Sequence, residues 1–307
     1  MIDRGCISLT SDCTLRCTYC HFDKHHAKSC YKDMDISSFR NIMFSILEYT
    51  NIHETTFKIG LVGAGEPLLR FDLINQAIVF ARKYDAANRL SFYTISNGVL
   101  LTNEMLIFFH KNKDLIALNF SVDGPEYIHD ANRRFSDGTG SYQYVMQSIR
   151  KYEDLFSCTP IVNAVVHKLT IEHQTDVLDY FEHNLPSVCF SRIFDMNESL
   201  LSITNEEFEN FMRLASQRNG LKLRQYLISP AKYDCTMYGR LCGVGRTNIF
   251  FIGNDIFPCA RFVGQSQHRL GSNSDRLDTI EEVMHKRFPP CPDGKCWYDS
   301  LVKGVAK

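Results

Sequence analysis

The sequence predicts an α/β fold built on a parallel sheet, and three observations carry that expectation. Six short β-rich runs alternate with amphipathic helical stretches from residue 5 to about residue 218. Almost every unusual residue cluster falls just after one of those runs, at the carboxyl end of a strand, where parallel barrels and open α/β sheets form their sites. Past residue 220 the alternation stops, and a hairpin pattern punctuated by cysteines replaces it.

The units follow in order. ISL at 7–9 is the first strand and leads into CTLRCTYC, and a helix beginning near Asp35 carries Phe39, Ile42, Met43, Ile46 and Leu47 at helical spacing. TFKIGLV (56–62) pairs with a helix over 71–84, LSFYTI (90–95) with 103–112, and LIALNFSV (115–122) with 141–154. PIVNAVV (160–166) with 171–182, and SVCFSRI (187–193) with 205–218, complete six units, fewer than a closed eight-unit barrel has. Two domains are therefore expected, 1–220 and 221–307. In the second, LCGVGRTNIFFIGNDIFPCARF reads as two apolar strands around the turn GND, followed by a polar loop and a short helix starting near Asp278.

At 307 residues the chain buries a full core and exceeds the usual size of one compact domain. Lys+Arg 34 against Asp+Glu 35 leaves the net charge near zero, so neither a nucleic acid nor an anionic membrane is an expected partner. No apolar stretch approaches the roughly 20 residues that span a bilayer, and the start MIDRGC is no signal peptide. A cytoplasmic protein is expected. Its twelve cysteines are clustered, three between Cys13 and Cys20 and five between Cys235 and Cys296. In a reducing compartment such clustering favours metal ligation over disulfides. The isolated Cys6, Cys30, Cys158 and Cys189 read as small buried apolar residues.

Three thiolates in one tight loop, Cys13, Cys17 and Cys20, can hold three corners of a cubane iron–sulfur cluster and leave the fourth iron open to a ligand. A structural zinc site is the rival reading of the same spacing. Cys242, Cys259, Cys291 and Cys296 supply four further thiolates, enough for a closed site holding either a second cluster or zinc, with Cys235 left over. With the cysteine loop after the first strand, Gly63-Ala64-Gly65-Glu66-Pro67 after the second, Ser96-Asn97-Gly98 after the third and Asp123-Gly124-Pro125 after the fourth place four special segments on one rim.

The C-x3-C-x2-C loop with Tyr19 before its last cysteine, together with GAGEP and SVDGPEYIHDANRRFSDGTGSY (121–142), resembles the radical S-adenosylmethionine (SAM) enzymes. That resemblance implies a partial (β/α)6 TIM-like barrel. It also implies that a [4Fe–4S] cluster on Cys13, Cys17 and Cys20 cleaves SAM to a 5′-deoxyadenosyl radical. SAM contacts are then expected from Gly65 and Glu66 (amino group), Ser96, Ser121, Arg133 (ribose or carboxylate) and Tyr19 (adenine face). The C-terminal hairpin, helix and cysteines resemble the SPASM or twitch extension, which implies one auxiliary [4Fe–4S] cluster on Cys242, Cys259, Cys291 and Cys296.

Within that family the 121–142 segment looks most like peptide-modifying members. The implied reaction is hydrogen-atom abstraction that crosslinks or epimerises a ribosomally made peptide, with Cys235 as the hydrogen-atom donor in an epimerase. Implied partners are the peptide, a separate leader-recognition protein (Cys13 lies too early for a fused one) and a reductant such as flavodoxin or ferredoxin. A small-molecule dehydrogenase of the aminocyclitol type is an alternative, and a zinc- or iron-binding interaction module is the non-enzymatic one. Anaerobic sulfatase maturases, also similar, place an aspartate base after the cysteine equivalent to Cys259; Ala260 stands there in this chain and argues against that activity.

Overall fold

A computed structural model describes residues 1–24, 31, 33–194, 200–224 and 244–288. Seven strands run parallel in chain order: β1 (Arg4–Ser8), β2 (Phe57–Val62), β3 (Leu90–Ser96), β4 (Ile116–Ser121), β5 (Val162–Val166), β6 (Ser187–Arg192) and the two-residue β7 (Lys222–Leu223). β8 (Asn248–Ile252) then pairs parallel with the outer edge of β1, and β9 (Asp255–Phe257) and β10 (Gly271–Ser272) follow it antiparallel. The result is one ten-stranded sheet in the order β10-β9-β8-β1-β2-β3-β4-β5-β6-β7.

The helices form where the spacing of apolar residues and a local cap agree. Ile36–Ile52 starts at Asp35, whose carboxylate accepts from Ser38 N, and buries Phe39, Ile42, Met43, Ile46 and Leu47 on one face. Asn205–Ser216 begins with a reciprocal capping box between Thr204 and Glu207. Phe71–Tyr84, Asn103–Lys111 and Tyr142–Phe156 complete the outer layer beside β2, β3 and β4, within a residue or two of expectation. The run expected over 171–182 is split into Lys168–Glu172 and Gln174–Asn184 by His173.

Alternation along the strands sorts the side chains. Ile59, Leu61, Phe92, Leu118, Phe120, Val162 and Ala164 are buried against the helix layer, each contributing about 1.5–3 kcal/mol for the larger ones. The intervening residues face the concave side. The sheet continues from the barrel strands into the hairpin without a break, since Arg4, Gly5, Cys6 and Ile7 pair with Asn248, Ile249, Phe250 and Phe251. The last helix among the described residues, Leu277–Arg287, is tied to helix Ile36–Ile52, with Glu281 accepting from the Tyr49 hydroxyl and pairing with the N-terminal amine at 2.7 Å.

β7, β10 and the short helix Glu126–Asn132 lie outside the sequence expectation. Two-residue strands carry no periodicity, and Glu126–Asn132 sits in a stretch that reads as polar loop. Cys158 is exposed and not buried, because it follows the left-handed Ser157 that ends helix Tyr142–Phe156; Cys6 and Cys189 are half-buried. Cys30 lies outside the described residues.

Candidate functional site

The loop Leu9–Cys20 leaves β1 at the carboxyl rim and is gripped from three sides. On the β2 side, Gly65 N donates to Thr10 O (3.0 Å) and Glu66 N to Asp12 O (2.7 Å), while Thr10 Oγ1 donates to Asp33 (2.7 Å). Gly65 has to be glycine: a Cβ there would lie 1.8 Å from the Asp12 carbonyl oxygen. Its freedom serves an approach to the cysteine loop itself. Ala64 has no positive φ, so it fits where the related pattern carries glycine.

On the β3 side, Asn97 Nδ2 reaches Thr14 Oγ1 (3.2 Å) and the Cys13 sulfur (3.8 Å). On the β4 side, Arg16 N donates to Arg134 O (2.7 Å) and Thr18 N to Asn132 O (3.0 Å), and Leu15 bridges to Phe135. Thr18 Oγ1 also donates to Asn132 Oδ1 at 2.5 Å. The loop is therefore built into the rim.

Cys13, Cys17 and Cys20 are all half-buried thiols. Among the described residues, no three Cys, His, Asp or Glu side chains converge closely enough to hold a single metal ion. Three thiols on one loop suit a four-iron cube, which takes one ligand per iron. Burial pushes the Cys17 thiol up to about 12, with Arg133 opposing and Cys20, Asp123 and Cys13 adding to the rise. Cluster loading must therefore displace protons from this loop.

Two buried carboxylates flank the loop. Glu66 Oε1 accepts from Ser96 Oγ (2.8 Å) and Leu68 N (3.1 Å), and Oε2 accepts from Asn97 N (2.9 Å). Burial raises its pKa, and these hydrogen bonds offset the rise only in part. Ser96 is fully buried; its hydroxyl donates to Glu66 and accepts from Gly98 N (2.9 Å). Both side chains hold the rim together, so Ser96 joins the site as a support of Glu66.

The second carboxylate, Asp123, is fully buried and carries a denser set of partners. Its Oδ2 pairs with Arg133 Nε (2.9 Å) and accepts from the Tyr19 hydroxyl, and its Oδ1 accepts from Val165 N (3.0 Å). Burial would raise this carboxyl; the Arg133 guanidinium, helped by the Tyr19 hydrogen bond, outweighs it and holds it below the usual carboxylate range. The Arg133 guanidinium lies 5.4 Å from the Tyr19 ring centroid. Tyr19, Arg133 and Asp123 thus form one unit, with Ser121 half-buried two residues before Asp123.

Behind this unit, His129 Nδ1 accepts from Asp123 N (3.4 Å) and its Nε2 faces Ser141 Oγ (3.0 Å), which donates to Arg133 O (2.8 Å). Burial pushes His129 down to about 3, so the ring is neutral and carries its proton on Nε2. Asp123, Asn132 and His129 are residues that sequence reasoning missed. An aspartate before Gly-Pro is an ordinary turn signal, and nothing in the string tells that this one is buried.

Among the C-terminal cysteines, Cys259 follows β9 and precedes the 3₁₀ turn Ala260–Phe262. Cys235, Cys242, Cys291 and Cys296 lie outside the described residues. Among the described residues no helix is long and apolar enough to cross a membrane.

A family model described as the Radical SAM superfamily matches residues 7–181, more than half of the chain. The chain belongs to that superfamily, is an enzyme, and has the superfamily's cofactors, SAM and [4Fe–4S] clusters. A cysteine-type anaerobic sulfatase-maturating enzyme of Clostridium novyi is 27% identical over 306 residues, spanning 90% of this chain and 77% of that protein. A serine-type anaerobic sulfatase-maturating enzyme of Bacteroides thetaiotaomicron is 25% identical over 318 residues, spanning 89% and 72%. Among solved structures, native anSMEcpe with bound AdoMet and Cp18Cys peptide matches with a TM-score of 0.77 at 20% identity, over 99% of this chain and 88% of that one. Streptococcus suis SuiB matches with a TM-score of 0.62 at 13% identity, over 92% and 65%. The partial-barrel fold is the one these structures share with this chain.

Proposed function

We propose that this radical SAM enzyme is a peptide maturase, which removes a hydrogen atom from a residue of a ribosomally made peptide and thereby crosslinks or epimerises it. The observation that carries the reading is the extent of the likeness. The superfamily match ends at residue 181, whereas the likeness to enzymes named for maturing a protein spans 90% of the chain, hairpin segment included.

When bound, the cluster and SAM supply a 5′-deoxyadenosyl radical that takes a hydrogen atom. Cys13, Cys17 and Cys20 hold that cluster. In this reading the Gly65–Glu66 backbone and the Glu66 carboxylate receive the ammonium of SAM, and Arg133 with Ser121 its carboxylate or ribose. Asp123 positions Arg133 and Tyr19, and Tyr19 covers an aromatic base face while excluding water. Cys242, Cys259, Cys291 and Cys296 hold an auxiliary cluster, and Cys235 is the hydrogen-atom donor if the product is an epimer. A leader-recognition protein and a flavodoxin or ferredoxin complete the system.

Sulfatase maturation is the second reading, favoured by the names of the relatives. Against it stands Ala260, which follows Cys259 and has no proton acceptor to offer. Anaerobic reconstitution decides between these readings. About eight irons per chain are expected, falling to about four when Cys13, Cys17 and Cys20 are replaced by alanine. SAM cleavage to 5′-deoxyadenosine should rise when peptide is added. A formylglycine product from a Cys or Ser peptide would establish the second reading, and protein holding only zinc would sink both.

A further inference from the structure

Below the rim, on the concave face of the sheet, two carboxamides bury an oxygen that nothing satisfies. Asn119 of β4 and Asn163 of β5 each hold Oδ1 out of solvent without a hydrogen-bond partner. Buried polar atoms of this kind are few in folded proteins, and each calls for an explanation.

Strand register says where the two amides stand. Ser121 pairs with Asn163, and Asn119 lies two residues before Ser121 on the same face. The two asparagines are therefore diagonal neighbours on adjacent strands. The residues between and beside them, Leu118, Phe120, Val162 and Ala164, are buried on the other face, and Phe120 packs edge-on to Tyr152 of helix Tyr142–Phe156 with centroids 5.8 Å apart. Asn119 and Asn163 consequently face the barrel interior. Asn163 is level with Ser121, and Asn119 is two residues, about 6–7 Å, further from the rim that carries the cysteine loop.

The strand residues directly beside them carry no charge, and the cation that acts here is Arg224, which is felt at Cys189. Their neighbours on the same face are Ile95, which pairs with Asn119, Cys189, which pairs with Asn163, and Ser121 and Val165. A carboxamide presents one acceptor and one donor edge in a plane, whichever way it is turned. The complement of that pair is a secondary amide, with its N–H and C=O. A carboxylate or an ammonium would leave one edge of each asparagine unmatched.

We propose that Asn119 and Asn163 form a subsite that receives one backbone amide of the substrate and so sets the depth at which the reacting residue stands beneath the rim. The inference rests on the peptide-maturase reading. Main-chain recognition fixes a peptide's register while leaving its side chains free, so the subsite positions substrates of differing sequence.

The test uses full-length, anaerobically reconstituted enzyme with SAM and a degenerate pool of capped peptides as the probe. The most enriched peptide is then resynthesised with each backbone nitrogen methylated in turn. For the wild-type enzyme, methylation at one position is expected to weaken binding roughly tenfold, as loss of hydrogen bonding to a paired amide should. Asn119→Leu and Asn163→Leu should weaken binding of the unmethylated peptide to a similar degree and abolish the sensitivity to that methyl group. Their thermal midpoints should hold or rise, because each removes an unsatisfied buried group for a side chain of similar shape. Unchanged peptide affinity in both variants overturns the subsite while leaving the maturase reading standing. A loss of SAM affinity in either variant reassigns the asparagine to the cofactor and overturns the subsite as well. Failure of the wild-type enzyme to retain any peptide brings down the maturase reading, and the subsite with it.

Discussion

Glu66 and Asp123 are both buried carboxylates flanking the same cysteine loop, yet burial wins at one and loses at the other. Glu66 is held by a hydroxyl and two backbone amides, and its pKa is raised. Asp123 has a guanidinium at 2.9 Å, a tyrosine hydroxyl and a backbone amide, and its pKa is lowered. Neutral donors satisfy a buried carboxylate without compensating its charge; a paired cation does both. The β2–β3 side of the rim is thus a polar scaffold, and the β4 side is a charged one that keeps Arg133 and Tyr19 in place.

The sharpest way to break this comparison is to remove the cation. Arg133→Met leaves Asp123 buried without its cation, with only the Tyr19 hydroxyl and Val165 N as partners among those named, and should cost about 3–5 kcal/mol of stability. Adding Asp123→Asn should restore part of the loss, and urea denaturation of the three variants as a double-mutant cycle measures it. Equal losses for the double and single variants would mean that the pair is not the unit described.

On the opposite side, Glu66→Gln keeps the shape and removes the charge. Its amide must set an N–H donor against one of three donors, most simply Asn97 N, at a cost of about 1–3 kcal/mol. The same urea titration should therefore place it below Arg133→Met. A Glu66→Gln loss as large as that of Arg133→Met would erase the distinction between the two sides.

The smallest effect is confined to acid. His129 is neutral in the fold with a pKa near 3, against 6.5 when solvated. Between those values the unfolded chain binds the extra proton, so this contribution is complete above pH 6.5 and declines as pH falls. By pH 5 the decline should reach at most about 2 kcal/mol. His129→Gln keeps an acceptor for Asp123 N and a donor for Ser141, so its stability should fall less than the wild type's between pH 7 and pH 5. Parallel pH profiles would show that His129 titrates freely in the fold.

Much of the fold was legible in the string. Phe39, Ile42, Met43, Ile46 and Leu47 declare their helix because helical periodicity is a property of neighbouring residues, and the six strands declare themselves by apolar runs followed by glycine and polar turns. The edge of the sheet was not legible. That Asn248–Ile252 lies against β1 depends on a contact across more than two hundred residues, and nothing in either segment names the other. The site divides in the same way. Gly65 is recognisable as a required glycine, but its reason, the Asp12 carbonyl 1.8 Å from where a Cβ would be, exists only in three dimensions.

By itself, the sequence determined the chemistry that the chain can do. The spacing of Cys13, Cys17 and Cys20, and the GAGEP and SVDGP segments placed after strands, are local patterns, and ligand type and spacing are what a cluster selects. The tertiary structure alone decided which polar groups face one another. It turned Ser96 toward Glu66, set Arg133 and Tyr19 on Asp123, and left Asn119 and Asn163 facing the interior. Those outcomes depend on burial and on partners brought from distant strands, and the balance between desolvation and pairing has no value until the chain is folded.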